Sequence, residues 1–296
     1  MHVFVTGASG FIGSGVVAEL VAGGHEVTGL ARSEDSAAVV KRLGATVHRG
    51  DLDDLDAIRA GAADADGVVH LANKHDWANR AESNRAERAA VEAISEALVG
   101  SDRPFVFASG FPFALGRAIT ENDRSPAVGP DSPRGGAENL ALEYADRGVR
   151  VVAARFAPTV HGESDHGFIA IIADVARRRG SVPYVGDGAN RWAAVHRTDA
   201  ARLVRLGLEN APAGTILHAV AENGVPLRQV AEALAERLDV PATSAAAEQL
   251  AEEVPFVGRF LGLDVTASSQ LTRDLLDWNP TGPTLLEDIA AGHYDR

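Results

Sequence analysis

Apolar positions in this chain follow two spacings. Short β-branched runs alternate with stretches whose apolar residues recur every three or four positions, and the alternation holds through the first two thirds. The runs predict six strands, at residues 2–6, 26–31, 45–48, 67–71, 104–108 and 150–156. Ile12, Val16, Val17, Leu20 and Val21 fall on one helical face, which Gly23-Gly24 ends. Helical spacing also covers residues 36–43, 55–62, 86–99 and 136–147. Strand and helix in strict alternation predict an α/β fold with a doubly wound parallel sheet. After Pro158 the regularity breaks, and glycine, proline and aromatic residues thicken between His161 and Trp192. Val230, Leu234 and Leu238 mark a later helix, residues 245–253 another, and residues 199–209 a helix returning to the main domain. The expected organisation is a first domain of residues 1–160, rejoined by 194–220. A smaller C-terminal lobe takes residues 161–193 and 221–296.

Composition narrows the picture. The 296 residues are 46% hydrophobic and 23% charged, enough to bury one large core. A net charge of −13 repels a phosphate-coated duplex, so nucleic acid is not an expected partner. There is no cysteine, which removes disulfide and thiolate chemistry. Met1 to Thr6 run straight into a strand, leaving no room for a signal peptide, and no apolar run approaches the ~20 residues of a membrane span. A cytoplasmic protein without a membrane partner is the expectation.

The strongest chemical signal lies between the first strand and the first helix, Gly7-Ala8-Ser9-Gly10-Phe11-Ile12-Gly13. Gly7 allows a tight exit from the strand, Gly10 a close approach of backbone to a pyrophosphate, and Gly13 close packing of helix on strand. The helix then offers unpaired N–H groups to the phosphates. This is the phosphate loop of a Rossmann-type dinucleotide site. The second strand ends at Arg32-Ser33, a cation and a hydroxyl suited to a 2′-phosphate, which favours NADP(H) over NAD(H). Asp51 and Leu52, after the third strand, are placed to bracket the adenine, though an exposed turn aspartate is an equal reading.

Together these pieces resemble the extended or atypical short-chain dehydrogenase/reductase superfamily, in its NAD-dependent epimerase/dehydratase-like branch. TGASGFIG, Gly50-Asp51-Leu52, VVHLAN (68–73), VFASG (106–110), ARFAPTVHG (154–162), VGDGANRWAAVHRTDAARL (185–203) and the stretch 276–280 carry the likeness. The resemblance implies cofactor contacts from Leu71, Ala72, Asn73, Ala108 and Pro158, and a smaller lobe that binds substrate. It also exposes a departure. The family's Y-x-x-x-K pair, its acid/base and ribose anchor, is replaced at Arg134 and Glu138. A guanidinium cannot give up a proton near neutrality, and a glutamate repels a cofactor already rich in negative charge.

Other groups must therefore carry any chemistry. Arg134 and Glu138 are four apart, so they either pair with each other or leave Arg134 to stabilise oxygen charge during hydride transfer. Ser109 fits the family's strand-five serine as a hydrogen-bond donor to a carbonyl, or caps a strand end. The segment Asn73-Lys74-His75-Asp76-Trp77 follows strand four, where an open sheet places its crevice, and nominates Lys74 and His75. His161, Tyr184, Arg191 and Trp192 are candidates for a substrate-pocket wall. For the cluster of His161, Glu163, Asp165 and His166, metal binding needs a convergent geometry that loop spacing does not show, so a pocket wall is the expectation and no metal is assigned. The reading that fits best is an NADP(H)-dependent oxidoreductase acting on a small carbonyl, hydroxyl or imine compound. A non-catalytic dinucleotide-binding sensor or scaffold is the second. A sugar-nucleotide epimerase or dehydratase ranks below reduction, since it needs the absent tyrosine. The helices at 86–99 and 136–147 match those that build a homodimer in the superfamily, although Arg85, Arg88 and Glu92 equally suit a solvated helix.

Overall fold

A computed structural model describes residues 1–76, 79–111, 115–254 and 257–295. Its first half alternates β1 (His2–Thr6), α1 (Phe11–Ala22), β2 (Glu26–Ala31), α2 (Glu34–Arg42), β3 (Thr46–Arg49), α3 (Leu55–Asp64), β4 (Gly67–His70), α4 (Arg80–Leu98), β5 (Pro104–Ser109), α5 (Ala137–Glu143) and β6 (Arg150–Phe156). The second half continues with β7 (Thr159–His161), α6 (Phe168–Arg179), β8 (Val182–Val185), β9 (Arg191–His196), α7 (Arg197–Asn210), β10 (Thr215–Ala219), β11 (Glu222–Pro226) and α8 (Leu227–Leu238). It closes with β12 (Ala242–Ala245), α9 (Ala247–Glu253), α10 (Val257–Phe260), α11 (Gln270–Leu276) and α12 (Leu285–Ala290).

The main sheet has seven parallel strands in the order β10-β6-β5-β4-β1-β2-β3. Its strands are almost continuously apolar because helices cover both faces. Val16, Val17 and Leu20 of α1 pack with Leu203 and Val204 of α7 on one face. Ile58 of α3, with Ala90, Val91 and Ile94 of α4 and Ala141 of α5, packs on the other. The order reverses at β1, whose neighbours β2 and β4 diverge in connection. That reversal opens the crevice at the strand C-termini where such sheets bind ligands.

Differences from the expected elements have local causes. β10 adds a seventh strand at the sheet edge, and α4 begins at Arg80 rather than residue 86 because its first turns are rich in good helix formers. The helix expected over 136–147 is shorter: a 3-10 turn at Pro133–Gly136 precedes α5 and another at Tyr144–Arg147 follows it. Outside the main sheet lie strands that mixed composition concealed, a β11-β9-β7 sheet and a β12-β8 pair. Trp278, in the C-terminal stretch, is buried and donates through Nε1 to Asp199 O at 3.1 Å. The Asp199 carboxylate accepts the N–H groups of Thr281 and Gly282, which fastens the chain end to α7.

Candidate functional site

The loop between β1 and α1 is built so tightly that side chains are excluded. A Cβ on Gly13 would lie 2.0 Å from Gly7 O, and one on Gly7, whose φ is +69°, would lie 2.7 Å from Ala72 N. Gly7 is thereby pressed against Leu71 and Ala72, so the ends of β1 and β4 meet at one point. Ala72 N also donates to Thr6 Oγ1 at 3.3 Å. Ser9 is half-buried at the loop tip. Gly10 is the N-cap of α1 and supplies no side-chain cap, which leaves the first-turn N–H groups of Phe11, Ile12 and Gly13 facing the crevice mouth. A cradle lined by backbone, closed to a Cβ yet open at a twelve-residue helix terminus, fits a dinucleotide diphosphate.

At the far end of the cradle, Arg32 and Ser33 are exposed. Ser33 caps α2: its Oγ accepts from Ser36 N at 3.2 Å and donates to Ser36 Oγ at 3.1 Å. A second arginine arrives from β3, as Arg49 donates to Ser33 O at 3.0 Å and pairs with Glu34 at 2.5 Å. Sequence spacing gave no hint of Arg49, because β3 lies beside β2 only in the folded sheet. Asp51 Oδ1 accepts from the N–H groups of Asp53 and Asp54 and so shapes its own turn. Leu52 is buried beneath it.

Arg134 and Glu138 are both engaged within the protein. Arg134 does not pair with Glu138, as helical spacing suggested, because it does not lie on α5. It has φ +56° and is followed by Gly135 and Gly136 at φ +61° and +62°. A non-glycine residue in this region is strained, and its N–H is held by Asn84 Oδ1 at 3.1 Å. Arg134 Nε donates to Glu87 Oε1 at 2.8 Å, Nη2 also meets that oxygen, and Nη2 donates to Ala108 O at 2.9 Å. Nη1 stands 3.7 Å from where Gly110 would carry a Cβ. The side chain keeps 34% of its exposure, whereas Glu87 keeps 2%.

Glu87 was not expected. It sits on the buried face of α4 with Ser83, Ala90, Val91 and Ile94, and a carboxylate at an apolar helical position was the available signal. Its other oxygen accepts from Asn73 Nδ2 at 2.9 Å, so one buried acid joins the β4 loop to Arg134.

Glu138 is likewise not a bare negative charge. Arg155 of β6, fully buried, donates to it from Nε at 3.0 Å and from Nη2 at 2.5 Å. Ser109 Oγ donates to Glu138 Oε2 at 2.6 Å. The expected repulsion of a cofactor is thus cancelled within the protein. The serine hydrogen is committed to Glu138, so Ser109 offers lone pairs to the pocket rather than the expected O–H. Glu87, Ser109, Arg134 and Glu138 line one small pocket.

The remaining candidates scatter. Lys74 is engaged by Asp53 at 2.8 Å and Glu82 at 3.4 Å, which raises its pKa. His75, at φ +50°, donates its N–H to Asn73 Oδ1 at 2.8 Å. Desolvation, then the charges of Arg134 and His166, hold its imidazole below the ordinary range. Trp77 lies outside the described residues. Pro158 is half-buried where β6 leaves the sheet. His161 is fully buried, its Nδ1 2.5 Å from Asp288 Oδ2. Trp192 is buried in the smaller lobe against Phe168, with its N–H donated to Leu263 O at 3.2 Å. The Tyr184 ring lies 5.8 Å from the Arg228 guanidinium, and Arg191 is exposed on β9. These last three do not converge with Arg134.

Buried histidines give this site a pH signature. His70, beside Thr6 at 2.7 Å, is lowered to about 3, by burial first and then by Arg134. His218, behind Arg155, is lowered to about 4, chiefly by burial. Each stays neutral in the folded chain while its unfolded form protonates near pH 6.5. Stability is therefore complete above that pH and falls as pH drops from 6.5 towards 4, at about 1.4 kcal/mol per unit per histidine. Thermal midpoints measured from pH 7.5 to 5 should fall, and His218→Gln should flatten the fall. A midpoint constant over that range contradicts the assignment.

Comparison with known proteins agrees with this geometry. An uncharacterized protein of Schizosaccharomyces pombe is 42% identical over 294 residues, covering 99% of this chain and all of its own length. The 4-hydroxy-2-methyl-3-oxo-4-farnesyl-3,4-dihydroquinoline-1-oxide ketoreductase of Stigmatella aurantiaca is 28% identical over 251 residues, 82% of this chain and 75% of that protein. The fold is shared with the dTDP-glucose 4,6-dehydratase of Streptomyces venezuelae, solved with NAD, at TM-score 0.79 and 22% identity over 99% of this chain and 96% of that one. No helix among the described residues is long and apolar enough to cross a membrane. The family model described as the NAD dependent epimerase/dehydratase family matches residues 3–219, and the chain belongs to that family.

Proposed function

We propose that this chain is an NADP(H)-dependent oxidoreductase for a small carbonyl, hydroxyl or imine compound, with Arg134 in place of the tyrosine. The observation that carries it is the anchoring of Arg134. Two of its three nitrogens are fixed by Glu87 and Ala108, and Nη1 is left at the crevice. A nicotinamide dinucleotide supplies or accepts the hydride when bound. Gly7, Gly10 and Gly13 with the α1 N–H groups would hold its diphosphate, and Arg32 and Arg49 would favour a 2′-phosphate. Arg134 then donates from Nη1 to the substrate oxygen and stabilises the negative charge that grows there. Ser109 Oγ accepts an N–H or O–H from the substrate, since its own hydrogen rests on Glu138. With its pKa lowered, His75 is neutral near pH 7 and serves as a base in alcohol oxidation. In reduction, water delivers the proton to the product oxygen. A homodimer through α4 and α5 belongs to the same reading.

The test is NADPH oxidation across ketone, aldehyde and imine panels. Arg134→Ala should lower kcat on the best substrate by about 10²–10³-fold while NADPH affinity holds. Arg134→Lys should not restore it, because an ammonium cannot bridge Glu87 and Ala108 O as the guanidinium fork does. Wild-type protein that binds NADPH but turns over nothing would leave the non-catalytic reading. Unchanged kcat in Arg134→Ala would move the chemistry elsewhere.

A further inference from the structure

Arg197 opens α7, directly after β9. Its Nη2 donates to Ser14 Oγ at 2.9 Å, and its guanidinium lies 5.0 Å from the Phe11 ring centroid. A Cβ on Gly15 would stand 3.0 Å from its Nε, so the side chain lies flush against the first turns of α1. On its other flank, a Cβ on Gly162 would meet Arg197 Cβ at 3.6 Å. The cation is therefore wedged between the loop after β7 and the mouth of the glycine cradle.

That placement is electrostatically incomplete. Arg197 is half-buried, and among the described residues no carboxylate lies within ion-pairing distance of it. Nε and Nη1 have no hydrogen-bond acceptor among them either. Glu163, the acid that acts on it most, is exposed, and desolvation pulls the guanidinium below its ordinary range. The positive end of α1 lies alongside, so like charge faces like. A residue kept only to fasten α7 to α1 would do so better without a charge.

We propose that Arg197 is a binding residue for the nucleotide diphosphate, adding a cationic contact to the backbone N–H groups of Phe11, Ile12 and Gly13. The inference rests on the dinucleotide reading above. The diphosphate would complete the charge pattern, and its removal of the repulsion between Arg197 and α1 would couple cofactor binding to the docking of α7.

The experiment is calorimetric titration of NADPH into full-length wild type, Arg197→Ala and Arg197→Lys at several salt concentrations, with thermal melts of each protein without nucleotide. Arg197→Ala should weaken NADPH by about 10–30-fold with a shallower salt dependence, and Arg197→Lys should recover most of that loss. The nucleotide-free melting midpoint of Arg197→Ala should equal or exceed that of wild type. An affinity loss under about tenfold, or an unchanged salt dependence, overturns the proposal and makes Arg197 a helix-to-helix tether. If wild type itself binds no dinucleotide, the cofactor reading falls instead, and the two failures are told apart by that first titration.

Discussion

Gly13→Ala is expected to raise the NADPH dissociation constant by about 100-fold or more and to lower the melting temperature of the protein. The added Cβ would stand 2.0 Å from Gly7 O, 2.8 Å from Gly7 C and 3.2 Å from Ala8 Cα. All three are backbone atoms, so no side chain can swing aside, and α1 must shift off the strand. The shift breaks the alignment of loop and helix N-terminus on which diphosphate binding depends. Gly10→Ala separates the two effects. Gly10 has φ −74°, which any residue adopts, and its added Cβ would approach Gly7 O only to 3.3 Å. It should fold with a nearly native melting point, yet bind NADPH about tenfold more weakly, because the methyl group stands where a phosphate approaches. Calorimetry and thermal melts on both variants check this. Native NADPH affinity in Gly13→Ala would contradict it.

Arg155→Ala should destabilise the chain by about 3–5 kcal/mol, the cost of stranding a buried carboxylate. Arg155 is fully buried, and beyond Glu138 it donates from Nη1 to Asp123 O at 2.8 Å. Its loss uncovers the charge of Glu138, leaves that carbonyl short of a donor and removes the cation behind Ser109. At roughly 2–4 °C per kcal/mol in a chain somewhat below this size, the midpoint should fall by about 10 °C. The double variant Arg155→Met with Glu138→Leu should recover a large part of the loss, since a buried pair exchanged for apolar side chains is often neutral. Chemical denaturation of Arg155→Met, Glu138→Leu and the double variant measures the coupling. A midpoint for Arg155→Ala within about 2 °C of wild type would show that the pair carries no such weight.

Much of this architecture was legible because it is written locally. The strands of the main sheet are apolar runs bounded by turns, and Val16, Val17 and Leu20 keep helical spacing on the buried face of α1. The glycine loop was legible in part for the same reason, since Gly10 and Gly13 answer to Gly7 within seven residues of chain, whereas Gly7 itself presses on Leu71 and Ala72 of the distant β4 end. The surroundings of Arg134 were not. Arg134 and Glu138 looked like a helical pair, but Gly135-Gly136 lets the backbone turn left-handed just before α5 and separates them. Their real partners are distant in sequence: Glu87 from α4 and Arg155 from β6. Glycines in tandem were the sign that the helix had not yet begun. The strands outside the main sheet were hidden because β8, β11 and β12 are only four or five residues long, with β11 and β12 mixed in polarity, so no spacing of two stands out.

The small pocket beside β5 holds a cation near Gly110 and a hydroxyl at Ser109, each engaged by a buried carboxylate. Under the proposed function, that arrangement supplies fixed charge rather than a proton at the substrate oxygen.

In the proposed function, a pyridine dinucleotide seats in the glycine cradle with its 2′-phosphate beside Arg32 and Arg49. Equilibrium titration of the wild-type chain with NADPH and NADH tests it most directly. One site per chain is expected, with NADPH the tighter ligand by about tenfold or more. Absence of binding by either coenzyme, reduced or oxidised, would contradict it.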